Sequence, residues 1–155
     1  MKIIQATLAD IQALTSMFEA YRKFYRQAPN PEAAAAFLTE RITREESIIF
    51  IAKDDKGDVI GFTQLYPSFT STRLNDTWIL NDLYVDKEYR GQGVSKALID
   101  RAKQHAIQTK AHGLMLETEK DNRIANQLYL STDFKKETNN FYFWTVKELE
   151  NEYRN

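Results

Sequence analysis

Leu80-Asn81-Asp82-Leu83-Tyr84-Val85-Asp86-Lys87-Glu88-Tyr89-Arg90-Gly91-Gln92-Gly93-Val94-Ser95-Lys96-Ala97-Leu98 carries an extended apolar stretch into a glycine-bearing turn and then directly into a helical pattern. Gly91 and Gly93 remove side chains where the backbone must bend, so the N–H groups of the turn and of the first helical residues can converge on one ligand. Those groups have no partner inside the helix, and the aligned peptide dipoles make that end partly positive, which suits a phosphate or diphosphate. An Arg-Gly-x-Gly step can also simply end a strand, and a plain nucleotide-binding module could use the same turn. Neither Gly-x-x-x-x-Gly-Lys-Ser/Thr nor Gly-x-Gly-x-x-Gly is present, because the third position of the latter spacing falls on Lys96.

The 155 residues predict a single domain over 1–155, long enough for an ordinary core. Cysteine is absent, which removes disulfides, thiolate nucleophiles and cysteine zinc sites and is compatible with a cytoplasmic location. His105 and His112 lack metal-ligand spacing, so packing or exposure is expected for both and no metal is expected. No apolar run approaches the roughly 18 residues of a membrane span, and Met1-Lys2-Ile3-Ile4-Gln5 lacks a signal-peptide core. The net charge of −1, with both signs interspersed, argues against nucleic acid as a partner.

Patterning predicts a strand at Ile3 to Ala6, a capping box at Thr7-Leu8-Ala9-Asp10, and a helix whose stripe is Ile11, Leu14, Phe18, Tyr21 and Tyr25. Asn30-Pro31 starts a second helix to about Arg44. Ile48 to Ala52 and Val59 to Tyr66 form a hairpin about Asp54 to Asp58. A polar segment from Pro67 to Asp76 leads to a strand at Trp78 to Val85, and Val94, Ala97, Leu98 and Ala102 mark the helix after the glycine turn. A strand at Gly113 to Thr118, a helix capped by Asp121 and running to about Ser131, and strands at Phe134 to Glu137 and Phe141 to Val146 complete the series.

Arg90-Gly91-Gln92-Gly93-Val94-Ser95 resembles the Arg/Gln-x-x-Gly-x-Gly/Ala signature of the GNAT superfamily of acyl-CoA-dependent N-acetyltransferases, with Ser95 in the place of a smaller residue. Asn122, Ala125 and Tyr129 match the spacing of that family's second motif, with Asp133 where glycine is usual. The order of elements is also the family's. The resemblance implies an α/β fold of the α+β type: a central mixed, mostly antiparallel sheet, a parallel pair at the cofactor site, and helices on both faces. It implies acetyl-CoA as cosubstrate, without metal. Contacts to it would come from Leu83, Tyr84 and Val85 on the strand, Arg90, Gly91, Gln92, Gly93, Val94, Ser95 and Lys96 in the turn, and Asn122 and Asn126 on the later helix.

Tyr129 is then implied as the general acid for the departing thiolate, a transfer uphill by about 2 kcal/mol from reference acidities. For the amine proton the candidate is Asp82. It stands about six pH units below a primary amine, a gap of roughly 9 kcal/mol that desolvation would narrow. Attraction of a cationic substrate, or an ordinary solvated surface role, are the other readings of Asp82. Tyr21, Phe24 and Tyr25, with Tyr66-Pro67-Ser68-Phe69-Thr70, are expected to wall the acceptor pocket. Tyr66 to Phe69 and Asn81 to Asp86 look like the yeast subfamily that acetylates polyamines and basic protein tails, which implies a polyamine or small amino compound as acceptor and a protein lysine or N-terminal amine second. A non-catalytic acyl-CoA sensor is the rival on the same fold. The apolar run Phe141-Tyr142-Phe143-Trp144 predicts a homodimer.

Overall fold

The computed structural model describes residues 1–146. Five strands lie in the order β1-β2-β3-β4-β5: β1 is Lys2–Gln5, β2 Ile48–Lys53, β3 Val59–Thr70, β4 Asn75–Val85 and β5 Leu114–Met115. The first four pair antiparallel, and β4 pairs parallel with β5. Helices α1 (Ile11–Phe24) and α2 (Pro31–Thr43) follow β1, α3 (Val94–Gln108) follows β4, and α4 (Arg123–Ser131) follows β5. This is the mixed sheet that the resemblance implied.

Strand alternation sorts the apolar residues into two cores, one on each face of the sheet. Ile49, Ile51 and Phe62 pack with Leu14, Phe18 and Leu38 of α1 and α2. Phe50, Ala52 and Leu65 pack with Val94, Leu98, Ile99 and Ala102 of α3. The helices start where the sequence places them. Thr7 and Asp10 close a reciprocal capping box, and Asn30 accepts a hydrogen bond from the Ala33 N–H ahead of Pro31.

Four expectations need correction. The segment from Pro67 to Asp76 is largely strand, because β3 and β4 continue as a two-stranded hairpin turning at Ser71 to Leu74. Pro67 lies beyond the last β2 pairing, at Leu65, where β3 is an edge strand and a missing N–H costs little. β5 is only two residues long rather than Gly113 to Thr118. The helix cap of α4 is Asn122 rather than Asp121. Finally, Phe134 to Glu137 and Phe141 to Val146 form no strands; their pattern signals a sheet face, but no strand among the described residues pairs with them, and Phe141, Tyr142, Phe143 and Trp144 stand exposed.

Candidate active site

The site begins with an irregularity in β4. Gln64 pairs with Asp82 but Leu65 pairs with Leu80, so Asn81 is an extra residue, a β-bulge. A one-residue insertion reverses the alternation of side chains. Leu80 before the bulge and Leu83 and Val85 after it all pack toward α3, while Asp82 and Tyr84 turn toward α1. Just beside this point β4 parts from β5, whose pairing stops at Ile79 and Met115. One row of β4 backbone groups past Ile79 therefore has no sheet partner among the described residues. Leu83 and Val85, expected to offer their backbone to the cofactor, lie on that part of β4.

Asp82 is 3% exposed, which rules out the solvated surface role. Gln64 Nε2 donates to its Oδ2 at 2.5 Å and Asn81 Nδ2 donates to its Oδ1 at 3.0 Å, with the Tyr21 hydroxyl of α1 close by. Burial raises the Asp82 carboxyl above the usual range, and the neighbouring polar groups of Gln64, Tyr21 and Asn81 offset part of that rise. Burial likewise raises the Tyr21 and Tyr66 hydroxyls, with the Asp82 charge adding to both.

Tyr21, Phe24, Tyr25 and Tyr84 form one aromatic cluster, whereas Phe69 on the β3–β4 extension is exposed. Tyr21 stacks edge-on against Tyr25 at 5.1 Å and lies 6.2 Å from the Tyr84 ring; Phe24 lies 5.2 Å from Tyr25. The Arg90 guanidinium sits 5.4 Å from the Tyr84 ring centre and 5.8 Å from that of Phe24, while Arg90 Nε donates to the Val85 carbonyl at 3.0 Å. Arg90 thereby ties the turn to the end of β4.

In the turn, Gly91 and Gly93 have φ of +74° and +82°, the left-handed region that a side chain disfavours. Gly93 is the N-cap of α3 and provides no side-chain cap to the first N–H groups of that helix. Gln92 turns away and donates to the Glu88 carbonyl. Val94, the first residue of α3, buries its side chain against the sheet, which leaves only its backbone open to a ligand. Ser95 is half-buried and Lys96 exposed.

Tyr129 is held by the end of α4. Asp133 takes a φ of +67°, Phe134 N–H donates to the Tyr129 carbonyl at 3.0 Å, and Asp133 N–H donates to the Leu130 carbonyl at 3.3 Å. That is a Schellman closure, and its usual apolar contact is the Tyr129 ring edge-on to Phe134 at 5.7 Å. Aspartate thus serves where the family's usual glycine is missing. Burial, reinforced by the nearby Tyr25, pushes the Tyr129 hydroxyl up to about 12. Tyr25 also lies near Glu119, which pairs with Arg26 at 3.1 Å and links the end of α1 to the segment before α4.

Asn122 and Asn126 are engaged within the protein. Asn122 Oδ1 caps α4 by accepting from the Ala125 N–H, and Asn126 Nδ2 donates to the Glu119 and Asn122 carbonyls. His105 packs between Phe50 and Trp78, and His112 is exposed. Pattern reading missed Gln64 and Ser47, although a glutamine inside the apolar run of β3 was a visible signal.

Residues 14–134 match the acetyltransferase (GNAT) family. The chain belongs to that family. It is 43% identical over 138 residues to an uncharacterized N-acetyltransferase, YhfO, of Bacillus subtilis, covering 89% of this chain and 92% of that one. A crystal structure of a probable acetyltransferase superposes with a TM-score of 0.90 at 40% identity, over 94% of this chain and 98% of the other. The D-amino-acid N-acetyltransferase HPA3 of Saccharomyces cerevisiae is 26% identical over 81% of this chain and 80% of its own length. The stronger bacterial match does not support the expected placement nearest a yeast polyamine and histone-tail subfamily.

Proposed function

We propose that this GNAT protein moves the acetyl group of acetyl-CoA onto a primary amine by direct attack, with Asp82 accepting the amine proton and Tyr129 supplying one to the leaving thiolate. The observation that carries this reading is the buried Asp82 carboxylate, turned by the β4 bulge into a wall of Tyr21, Tyr25 and Tyr66 beside the parting of β4 and β5. The left-handed glycines and the uncapped start of α3 fit a diphosphate, held by the N–H groups of Gly91 to Lys96. Acetyl-CoA supplies the activated acyl group. The Val85 N–H is the donor we assign to the thioester carbonyl.

In the transfer the amine lone pair forms the new C–N bond as the C–S bond breaks. The amine proton passes to Asp82, directly or through one water, and the thiolate sulfur takes the Tyr129 proton. Burial works in favour of the first transfer, since it raises Asp82 toward the amine. It works against the second. With Tyr129 at about 12 and a thiol near ~8.5, that step is uphill by about 5 kcal/mol unless the thiolate is desolvated in the same pocket.

Aromatic faces and a buried anion favour a small cationic amine as acceptor, and the name of the yeast relative adds amino acids to the compounds worth testing. Release of free coenzyme A over a panel of polyamines, amino acids, aminoglycosides and lysine peptides tests the reaction and identifies the acceptor. In that assay Tyr129→Phe is expected to lower turnover about 100-fold with acetyl-CoA affinity unchanged; wild-type turnover removes Tyr129 from the mechanism. A homodimer is proposed from the exposed Phe141 to Trp144 run, and a monomer mass by light scattering at micromolar concentration contradicts it.

A further inference from the structure

Behind Asp82 lies a second layer of polar groups that the transfer itself does not use. The Ser47 hydroxyl, just ahead of β2, donates to Gln64 Oε1 at 2.8 Å, and Gln64 Nε2 donates to Asp82 Oδ2 at 2.5 Å. Ser47, Gln64 and Asp82 are 6%, 0% and 3% exposed. A fully buried amide in the middle of a strand is costly unless both of its ends are matched, and an apolar side chain would fill the space more cheaply. The amide is matched at both ends, and it can be matched in two ways.

A primary amide has one accepting end and one donating end, whereas a hydroxyl can do either. In the observed orientation the donating end faces Asp82, which suits the carboxylate anion. Turned over, Oε1 would accept from a protonated Asp82, and Nε2 would donate to the Ser47 oxygen. Ser47 also lines an open cavity of about 610 Å³ with Gln5, Thr7 and Glu45, so its hydroxyl hydrogen has solvent to turn to in that second state. The same three side chains therefore satisfy the base before and after it takes a proton.

We propose that Gln64 and Ser47 are positioning residues for Asp82, the Gln64 amide turning over as the carboxylate gains the amine proton and turning back as that proton is returned to water. This rests on the reading of Asp82 as proton acceptor. The other titratable groups facing Asp82 are Tyr21 and Tyr25 from α1 and Tyr66 from β3, with the Arg41 guanidinium of α2 beyond Tyr66. All three hydroxyls are raised above their ordinary range, so they stay neutral while Asp82 titrates.

The test is a pH titration of the full-length protein labelled with ¹³C and ¹⁵N, without substrate, reading the Asp82 carboxyl carbon and the Gln64 side-chain amide, with Asp82→Asn to assign the former. The two signals are expected to titrate with one midpoint. Gln64→Leu removes the donor to the anion and is expected to raise the Asp82 midpoint by more than one pH unit. Ser47→Ala leaves the amide unpolarised and is expected to raise it by about half a unit, with Ser47→Thr restoring it. A Gln64 amide that ignores the Asp82 midpoint, or a midpoint unmoved in both Gln64→Leu and Ser47→Ala, overturns the proposal while leaving Asp82 as the base. Wild-type acetyl transfer by Asp82→Asn overturns the reading on which it rests.

Discussion

The two groups assigned to proton transfer stand on opposite kinds of foundation. Asp82 rises from the middle of β4, between two cores whose residues Phe50, Phe62, Leu14, Leu38, Leu65 and Leu98 are wholly buried. Tyr129 stands on α4, a helix without a single fully buried residue, beside a β5 of two residues. Packing on both sides fixes the carboxylate, whereas the phenol is held by a hydrogen-bonded helix end and a half-buried ring against the α3-side core. The proposed base is thereby tightly packed, and the proposed acid sits in the less densely packed part of the molecule.

Removing a large core side chain on each side tests that contrast most severely. Phe62 meets Phe18 and Tyr21 edge-on at 6.0 and 5.7 Å. Phe62→Ala is expected to cost about 3–5 kcal/mol in denaturant unfolding, and to disturb Tyr21 over Asp82. Leu128→Ala on half-buried α4 is expected to cost only about 1 kcal/mol. Equal losses would mean that α4 is as tightly held as the sheet.

A smaller effect separates the two regions by pH. The Asp82 carboxyl is raised in the folded protein by burial, so the folded state holds its proton at pH values where the unfolded chain has lost it. The corresponding stability is fully present below the ordinary aspartate value and is lost as pH rises through the raised one. Asp82→Asn escapes that loss. Its melting temperature at pH 8 is expected to exceed that of the wild type, and the advantage should vanish on acidification; a constant difference across pH would place the effect in packing. For Tyr129, raised to about 12, the matching loss begins only above about pH 10, where the unfolded tyrosine ionises first.

The same contrast explains what could be read from the chain. The capping box at Thr7 to Asp10, the apolar stripes of α1 and α3 and the β-rich runs of β2 to β4 are local patterns backed by burial, and each element contains the residues its pattern marked, although β3 and β4 run on into the segment from Pro67 to Asp76. Phe141 to Trp144 has an equally strong β pattern but joins no ladder among the described residues, and a β-rich pattern says nothing about whether a neighbour exists. Asp82 was legible as a candidate. Its burial was not, because it depends on an unpaired Asn81 that shifts the strand by one residue and on Ser47, Gln64 and Tyr21 from three other segments. Spacing marked Asn122 and Asn126 as cofactor contacts, whereas the bonds they make within the protein, Asn122 as the cap of α4 and Asn126 to the Glu119 and Asn122 carbonyls, depend on how the chain turns before α4.

The finest test compares the two ends of α4. Asn122→Ala removes the bond to the Ala125 N–H and is expected to cost about 1 kcal/mol, confined to α4 and visible as faster amide exchange there with β2 to β4 unchanged. Asp133→Gly acts in the other direction at the other end. At φ +67° a glycine relieves the left-handed strain of aspartate, so protection across the Tyr129–Phe134 closure should rise by about 0.5–1 kcal/mol, a little less if the added chain freedom of the unfolded state counts fully. If turnover then falls while α4 becomes better ordered, the loose seating of Tyr129 is part of how the proton is delivered; if turnover holds or rises, α4 is merely the less well-packed half of the fold.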